Sequence, residues 1–289
     1  MSAPPQASLT DRATLARHRA RAARAPELFL HEITAEEIKE RLIEVNRSFT
    51  APAIIAPEGP AAAIWRDLLP EATLTSDAPV LDLQPGAHDL VVHAMSLHWA
   101  DDPLGQIIQC RRALRPDGLF IAAFFGGRSL HELRAVLAQA ESDLTGSLSP
   151  RVLPMADIRD AGALLQRAGL ALPVADRQIT EIRYRSLRAL ARDLRAMGEG
   201  NALASRRRAS MSRALMQHAE ALYRKHHADE QGRLRATVET LFLTGWAPDA
   251  SQPQPLRPGS ATTRLAEALD TTETPLEPAP GAPARPKSP

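Results

Sequence analysis

Short apolar runs alternate with helical stretches from residue 50 onward, and this alternation restricts the fold more than any other feature of the sequence. Runs that are apolar throughout, instead of at every second position, are typical of parallel strands with helices on both faces of the sheet. The sequence therefore predicts an α/β fold. Strands are predicted over residues 53–56, 72–75, 88–93, 118–124 and 238–246.

Apolar residues at helical spacing fill most of the stretches between these strands. Ligands of such folds bind beyond the carboxyl ends of the parallel strands. We therefore expect the functional site in the segments that follow residues 56, 77, 93 and 124. Helices are predicted over residues 61–69, 103–114, 129–142, 157–169, 186–197 and 205–226.

Two further helices are predicted ahead of the sheet, over residues 10–25 and 34–47. The first is rich in arginine and contains Asp11 as its only acid. Such a segment is compatible with an organelle transit peptide, a nucleic-acid-binding arm or the solvated face of a helix. We favour the solvated face, and we interpret the basic stretch 206–208 in the same way because it lacks an aromatic stacking platform. No nucleic-acid partner is therefore expected.

The charge balance and the cysteine count exclude several classes of protein. The chain has 35 Lys+Arg and 34 Asp+Glu, a formal net charge of +1, so it has no global field that would attract nucleic acid or an anionic membrane. Its single cysteine, Cys110, excludes an intramolecular disulfide and a Cys-based zinc site. His226 and His227 have no acid or cysteine at metal-ligand spacing, so no metal site is predicted.

The apolar runs, the N-terminal residues and the cysteine content together indicate where the protein is located. No apolar run reaches the roughly 18 residues needed to cross a bilayer, so no membrane span is predicted. The N-terminal residues lack the apolar region of a secretory signal. A single cysteine also fits a reducing compartment. These features together predict a cytoplasmic protein.

Proline is concentrated at the end of the chain, where residues 248–289 contain ten of the 24 prolines. This composition predicts a disordered tail, in which residues 262–269 are compatible with two helical turns and Ser260 with their N-cap. The predicted domains are a helical extension over residues 1–48, an α/β domain over residues 49–247 with a helical insertion at about 186–226, and the tail over residues 248–289.

The most informative motifs lie between residues 88 and 121. The strand 88–93 precedes Leu97-His98-Trp99, and the segment 114–118 reads Leu-Arg-Pro-Asp-Gly before the next apolar run. This combination resembles the fourth strand, the loop after it and the turn into the fifth strand of class I S-adenosylmethionine-dependent methyltransferases. The resemblance implies a Rossmann-like sheet with S-adenosylmethionine as the cofactor.

Two other segments narrow the resemblance, which covers roughly residues 9–247. Residues 124–134 and the segment Met-Gly-Glu-Gly-Asn at 197–201 are similar to a subfamily that includes the biotin-pathway malonyl carrier methyltransferase and methyltransferase-like mitochondrial complex I assembly factors. Members of the second group are associated with modifying or chaperoning a complex I subunit, and arginine hydroxylation has been attributed to them. A protein substrate or a respiratory-complex subunit is therefore an expected partner.

The chain departs from the family at the turn after the first strand. The family has an acid and a Gly-x-Gly-x-Gly turn there, because a side chain would keep the backbone from approaching the cofactor. Here the segment after Ala56 reads Pro57-Glu58-Gly59-Pro60. Only Gly59 is retained, each proline lacks an N–H, and Glu58 places a carboxylate near that of the cofactor. Standard cofactor binding at this turn is therefore doubtful.

The first half of the sheet is also shortened. About 28 residues separate the turn from the strand at 88–93, enough for one helix and one strand where the family has a helix between two strands. The predicted fold is therefore a Rossmann-like class I methyltransferase sheet that is shortened in its first half, with N-terminal helices and extra C-terminal helices.

Candidate cofactor-binding residues follow from the resemblance. Asp77 lies 12 residues before Asp89, a spacing similar to that of the family acid that faces the adenine, with Asp82 as the alternative. Asp77 is equally compatible with a strand-end turn residue that binds no ligand. The other candidates, which lie in the turn or in the loop after the fourth family strand, are Gly59, Ser96, Leu97, His98 and Trp99.

The aromatic pair in this loop has two interpretations. His98 and Trp99 fit a pocket lining, since imidazole exchanges protons near neutral pH and indole provides an apolar wall. Alternatively, Trp99 only packs the helix 103–114 against the sheet. No residue can be assigned as a catalytic base.

Two functions remain open. One is a methyltransferase with an unknown methyl acceptor and an altered pocket. The other is a cofactor-poor assembly factor of the complex I type that keeps the fold and acts by protein interaction or arginine modification.

Overall fold

The computed structural model describes residues 8–253 and 265–272. The described residues form a six-stranded sheet with strand order β2-β1-β3-β4-β6-β5. The pairs β1–β2, β1–β3 and β3–β4 are parallel, whereas β6 is antiparallel to both β4 and β5. The strands are β1 (Pro52–Ala56), β2 (Thr73–Ser76), β3 (His88–Ala94), β4 (Leu114–Phe125), β5 (Ala171–Tyr184) and β6 (Leu234–Trp246).

Helices precede, connect and follow these strands. A short 3-10 turn, Leu97–Trp99, comes directly after β3. The chain divides into two units, residues 1–250 and 251–289, and the second contains one short described helix. The helices are α1 (Arg12–Ala22), α2 (Phe29–Val45), α3 (Ala61–Leu68), α4 (Pro103–Ala113), α5 (His131–Thr145), α6 (Ile158–Arg167), α7 (Leu187–Ala196), α8 (Arg213–His227) and α9 (Leu265–Ala268).

Successive residues of the central strands enter two apolar cores, one on each face of the sheet. In β3, Leu90 and Val92 pack in the core that contains Trp65 of α3, whereas Val91 packs in the core that contains Ile107 of α4. Burial on both faces explains why these strands are apolar throughout. The predicted α/β class is confirmed.

The shortened first half is also confirmed. Between β1 and β3 the chain forms only α3 and β2, and β2 pairs with β1 at the edge of the sheet. The two helices predicted ahead of the sheet are present as α1 and α2. In α1 the Asp11 carboxylate caps the first turn by accepting a hydrogen bond from the Thr14 N–H at 2.9 Å.

Two predictions about elements were wrong, and one strand was missed. The segment 116–118 is not a turn ahead of a strand, because β4 already begins at Leu114 and contains an irregularity there; Asp117 has a φ of 58°. The helix predicted over 205–226 begins only at Arg213, where the Ser212 side chain provides the N-cap. The strand β5 was not predicted at all.

The C-terminal predictions are only partly covered by the structure. Residues 265–268 are helical, inside the segment predicted to form helical turns. Ser260 and most of the predicted tail lie outside the described residues. The domain boundaries drawn from the sequence stay predictions.

Residues 8–253 and 265–272 contain neither a membrane-spanning helix nor a cluster of metal-ligating side chains. There, no helix combines the length and the apolar character needed to cross a bilayer. In the same residues, no three histidine, cysteine, aspartate or glutamate side chains are grouped as a metal site requires.

Candidate functional site

A cavity of about 450 Å³ lies beyond the carboxyl ends of β1 and β2, and we call it the strand-end cavity. Gly59 and Asp77 line it from the segments that follow these two strands. The helix α1 provides the opposite wall through residues that include Arg12, Leu15 and Arg19. The cavity is therefore where the strand order predicts a ligand, but one wall is an arginine-bearing helix.

The Asp77 carboxylate is occupied by this helix. Arg19 donates from Nη1 to Oδ1 at 2.7 Å and from Nη2 to Oδ2 at 3.0 Å, and Arg12 Nη1 lies 3.5 Å from Oδ2. Arg12 also donates to the Asp77 backbone carbonyl. Burial alone would raise the pKa of Asp77, but the charges of Arg19 and Arg12 outweigh it and hold that pKa below its ordinary value. Asp77 is thus an ionised partner of α1.

Other contacts fasten the N-terminal segment to the strand-end loops. Asp101, in the loop after β3, accepts hydrogen bonds from the Leu9 and Thr10 N–H groups at 2.8 and 2.9 Å. At Gly198, whose φ is 83°, an added Cβ would lie 3.1 Å from Arg19 Cγ. At Gly200 it would lie 2.9 Å from His18 Nδ1. The glycines of the segment 197–201 therefore allow α1 to approach closely.

The turn that should hold S-adenosylmethionine does not fit that cofactor in the mode that the resemblance implies. Pro57 and Pro60 offer no N–H to an anionic group, and Glu58 lines the strand-end cavity with a carboxylate. Both carboxylate oxygens of Asp77, the candidate adenine contact, accept hydrogen bonds from Arg19. No chemical step is therefore derived through this cofactor.

A second cavity, of about 260 Å³, lies beside the loop after β3 and is called the apolar pocket. Leucines of α5 and α7 form much of its wall, and His98, Trp99 and Glu199 form its polar part. Phe125, at the end of β4, packs against His98 with tilted rings whose centroids are 4.9 Å apart. The pocket is thus a mainly apolar site with a few convergent polar groups, as ligand sites commonly are.

Glu199 organises the polar part of the apolar pocket. Its Oε2 accepts a hydrogen bond from Trp99 Nε1 at 2.8 Å and lies 3.2 Å from His98 Nε2. Burial would raise the pKa of Glu199, but His98, Arg19 and the Trp99 N–H outweigh it and hold that pKa below its ordinary value. The acid is therefore a buried, hydrogen-bonded carboxylate that fixes both aromatic rings.

The sequence-predicted residues are divided between two places. Gly59 and Asp77 line the strand-end cavity, whereas His98 and Trp99 line the apolar pocket. Leu97 is buried in an apolar core. The remaining candidate, Ser96, is 1% exposed, and its Oγ has no hydrogen-bond partner among the described residues. The structure does not bring the six candidates together in one site.

Sequence reasoning missed two residues of these cavities. Glu199 was not predicted as a site residue, although it lies in the segment 197–201. Its position between two glycines was the sequence signal that could have indicated it. Arg19 was assigned to a solvated helix face, although it follows Leu15 by four positions and precedes Ala22 by three. This spacing places Arg19 on the buried face of α1.

Comparisons with known proteins give the following matches. A family model described as a methyltransferase domain matches residues 20–122. The mitochondrial arginine-hydroxylase NDUFAF5 of Homo sapiens is 37% identical over 199 residues, which are 69% of this chain and 57% of that protein. The malonyl-(acyl-carrier protein) O-methyltransferase of Laribacter hongkongensis is 36% identical over 179 residues, 62% of this chain and 58% of that protein.

The chain therefore spans less than three fifths of the length of these two relatives. Among solved structures, the YcgJ protein of Bacillus subtilis matches with a TM-score of 0.47 and 9% sequence identity, over 74% of this chain and 99% of the other.

Proposed function

Because residues 20–122 match a family model described as a methyltransferase domain, we propose that the protein keeps the methyltransferase fold, has lost the standard cofactor site and acts as an assembly factor of the complex I type. Its partner in this proposal is a subunit of a respiratory complex. The resemblance of residues 124–134 and 197–201 to methyltransferase-like complex I assembly factors supports this choice of partner. The proposal assigns no catalytic residue.

The observation that carries the proposal is the pairing of Arg19 with Asp77. A ligand that needed the Asp77 carboxylate would have to displace a two-point hydrogen-bonded arginine whose side chain is 11% exposed. Separating such a buried pair is costly, since it leaves a charge without its partner. The pairing therefore argues for a chain that keeps the fold without the usual ligand.

A methyltransferase with an altered pocket is the second candidate. It is favoured by the volume of the strand-end cavity, about 450 Å³, which lies in the range of ligand sites. It is also favoured by Gly59, where an added Cβ would have no neighbour within 4 Å, so that the backbone stays accessible. Methyl transfer depends mainly on positioning the donor and the acceptor, so the absence of an assigned base does not argue against it.

Calorimetry with S-adenosylmethionine separates the two candidates. We expect no heat of binding up to millimolar cofactor, because Pro57 and Pro60 remove two N–H donors from the turn and Asp77 is paired with Arg19. Titration of S-adenosylhomocysteine under the same conditions is the second measurement. Saturable micromolar binding of S-adenosylmethionine that disappears in Asp77→Asn would instead support the altered methyltransferase and contradict the proposed function.

An experiment in the source cells tests the assembly role. Loss of the gene should lower the amount of assembled complex I on native gels, and the wild-type chain should restore it. The variant Ala20→Trp narrows the strand-end cavity from α1 and should restore the complex equally well. The exposed Ala13→Trp on the same helix is the matched control. If Ala20→Trp fails to restore complex I while Ala13→Trp restores it, the assembly role requires an open strand-end cavity.

Two finer expectations belong to this proposal. A cytoplasmic location is expected because a single, buried cysteine fits a reducing compartment. The relative NDUFAF5, by contrast, is named as a mitochondrial protein. We also expect that the partner is not a nucleic acid, because two arginines of α1, Arg12 and Arg19, already contact the Asp77 carboxylate of this chain.

A further inference from the structure

The apolar pocket has walls that suit a hydrocarbon chain. Leu133 and Leu137 of α5 face it together with Leu187, Leu190 and Leu194 of α7. Four of these leucines are at most 7% exposed. At roughly 30 Å³ for a group of water size, a volume of about 260 Å³ accepts about nine such groups. The pocket therefore has apolar walls and a volume close to that of an alkyl chain of medium length.

A third cavity adjoins the apolar pocket and is called the basic pocket. It has a volume of about 200 Å³ and is lined by His18, Arg21, Arg195, Gly200 and Asn201. The last three of these residues also line the apolar pocket. Arg195, Gly200 and Asn201 thus border both an apolar cavity and a cationic cavity.

The two arginines of the basic pocket are available for a ligand. In the part of the chain that the structure describes, neither Arg21 nor Arg195 has an acidic side chain within 4.0 Å. Both residues are exposed. Burial and the charge of Arg21 lower the pKa of His18, although its Nδ1 lies 3.2 Å from the Gly200 carbonyl oxygen. The local charge of this pocket is therefore positive.

Apart from Arg195, the charged groups that line the apolar pocket are already paired. Arg151 donates to Glu141 at 2.5 Å, and Glu199 accepts from Trp99 and contacts His98. Glu199 does not line the basic pocket. An anion held by Arg21 and Arg195 would therefore lie in the chamber that this carboxylate does not line.

We propose that the two adjoining pockets form a binding site for an anionic amphiphile with one alkyl chain, whose chain enters the apolar pocket and whose carboxylate or phosphate head binds Arg21 and Arg195. The guanidinium fork matches both kinds of head. This inference is independent of the strand-end cavity and goes beyond the proposed assembly role.

Calorimetry on the full chain with defined amphiphiles tests the proposal. Decanoate and decyl phosphate should both bind saturably, and the tighter of the two identifies the natural head group. Octanoate should bind about tenfold more weakly than decanoate, because two buried methylenes are lost. Decanol, which has the chain without the charge, should also bind at least tenfold more weakly.

Single substitutions assign the two chambers. Arg195→Ala should weaken decanoate about tenfold or more and leave decanol unchanged. Arg192→Ala, on the same helix with a side chain 77% exposed, is the matched control and should change neither. Ala191→Trp fills the apolar pocket from α7 and should abolish binding of both ligands, with circular dichroism confirming that the variant is folded.

Four results would overturn the proposal. The first is silence of every amphiphile up to millimolar concentration. The second is equal affinity for decanol and decanoate together with no effect of Arg195→Ala. The third is binding of inorganic phosphate as tightly as decyl phosphate, which would leave no role for the chain. The fourth is unchanged binding in a folded Ala191→Trp variant, which would place the ligand elsewhere.

Discussion

Replacing Asp77 by leucine should lower the free energy of unfolding by about 3–5 kcal/mol, because Arg19 would be left buried without its hydrogen-bonded partner. The side chains of Asp77 and Arg19 are only 5% and 11% exposed. The pair is therefore largely shielded from solvent, although both residues also line the strand-end cavity. Chemical unfolding followed by circular dichroism measures the change.

Two further variants show whether the effect comes from the pair. The double variant Arg19→Met with Asp77→Leu should recover most of the lost stability, because it also removes the buried guanidinium and leaves only Arg12, whose side chain is 31% exposed, without the carboxylate. Asp82→Leu, at an exposed acid in the following loop, should change stability by no more than about 0.5 kcal/mol. Equal losses in Asp77→Leu and Asp82→Leu would contradict the assignment.

The same pair predicts a pH dependence. Because the folded pKa of Asp77 is below its ordinary value, the stabilisation is fully present above the unfolded pKa of about 3.9 and is lost as the pH falls through the folded pKa. The stability difference between wild type and Asp77→Leu should therefore be constant near neutral pH and shrink in acid.

The parts of the fold that were predictable are those whose signal is local. The strands β1 and β3 are buried on both faces, and their continuous apolar runs reveal them directly. The strand β5 lies at the sheet edge, and most of its residues are exposed or half-buried. Its sequence contains charged residues and no continuous apolar run, which is typical of a loop. The strand is therefore recognised only from its pairing with β6.

The contacts of the candidate site were less predictable because their partners are distant in sequence. Arg19 and Asp77 are 58 positions apart, and a charged residue is buried only when it is paired. The helical spacing of Leu15 and Arg19 shows a shared face, but not that an acid lies opposite. His98 and Trp99 were found by their motif, whereas their acceptor Glu199 follows about 100 residues later.

A second large effect is expected at Glu199. Glu199→Leu should lower the free energy of unfolding by roughly 2–5 kcal/mol, because it leaves the buried Trp99 Nε1 and His98 Nε2 without their acceptor. Glu199→Gln keeps an acceptor oxygen and should cost only about 1 kcal/mol. Chemical unfolding followed by circular dichroism measures the stability of both variants.

The position of Glu199 makes this effect more than local. Trp99 packs with Leu15 of α1 in a small apolar cluster, so a mobile indole also loosens the helix that covers the strand ends.

The folded pKa of Glu199 is below its ordinary value. Its contribution is therefore present above the unfolded pKa of about 4.3 and disappears as the pH falls through the folded value. Glu44→Leu, at an exposed acid of α2, is the control. An equal loss in Glu44→Leu, or no difference between Glu199→Leu and Glu199→Gln, would mean that the carboxylate does not hold the two rings.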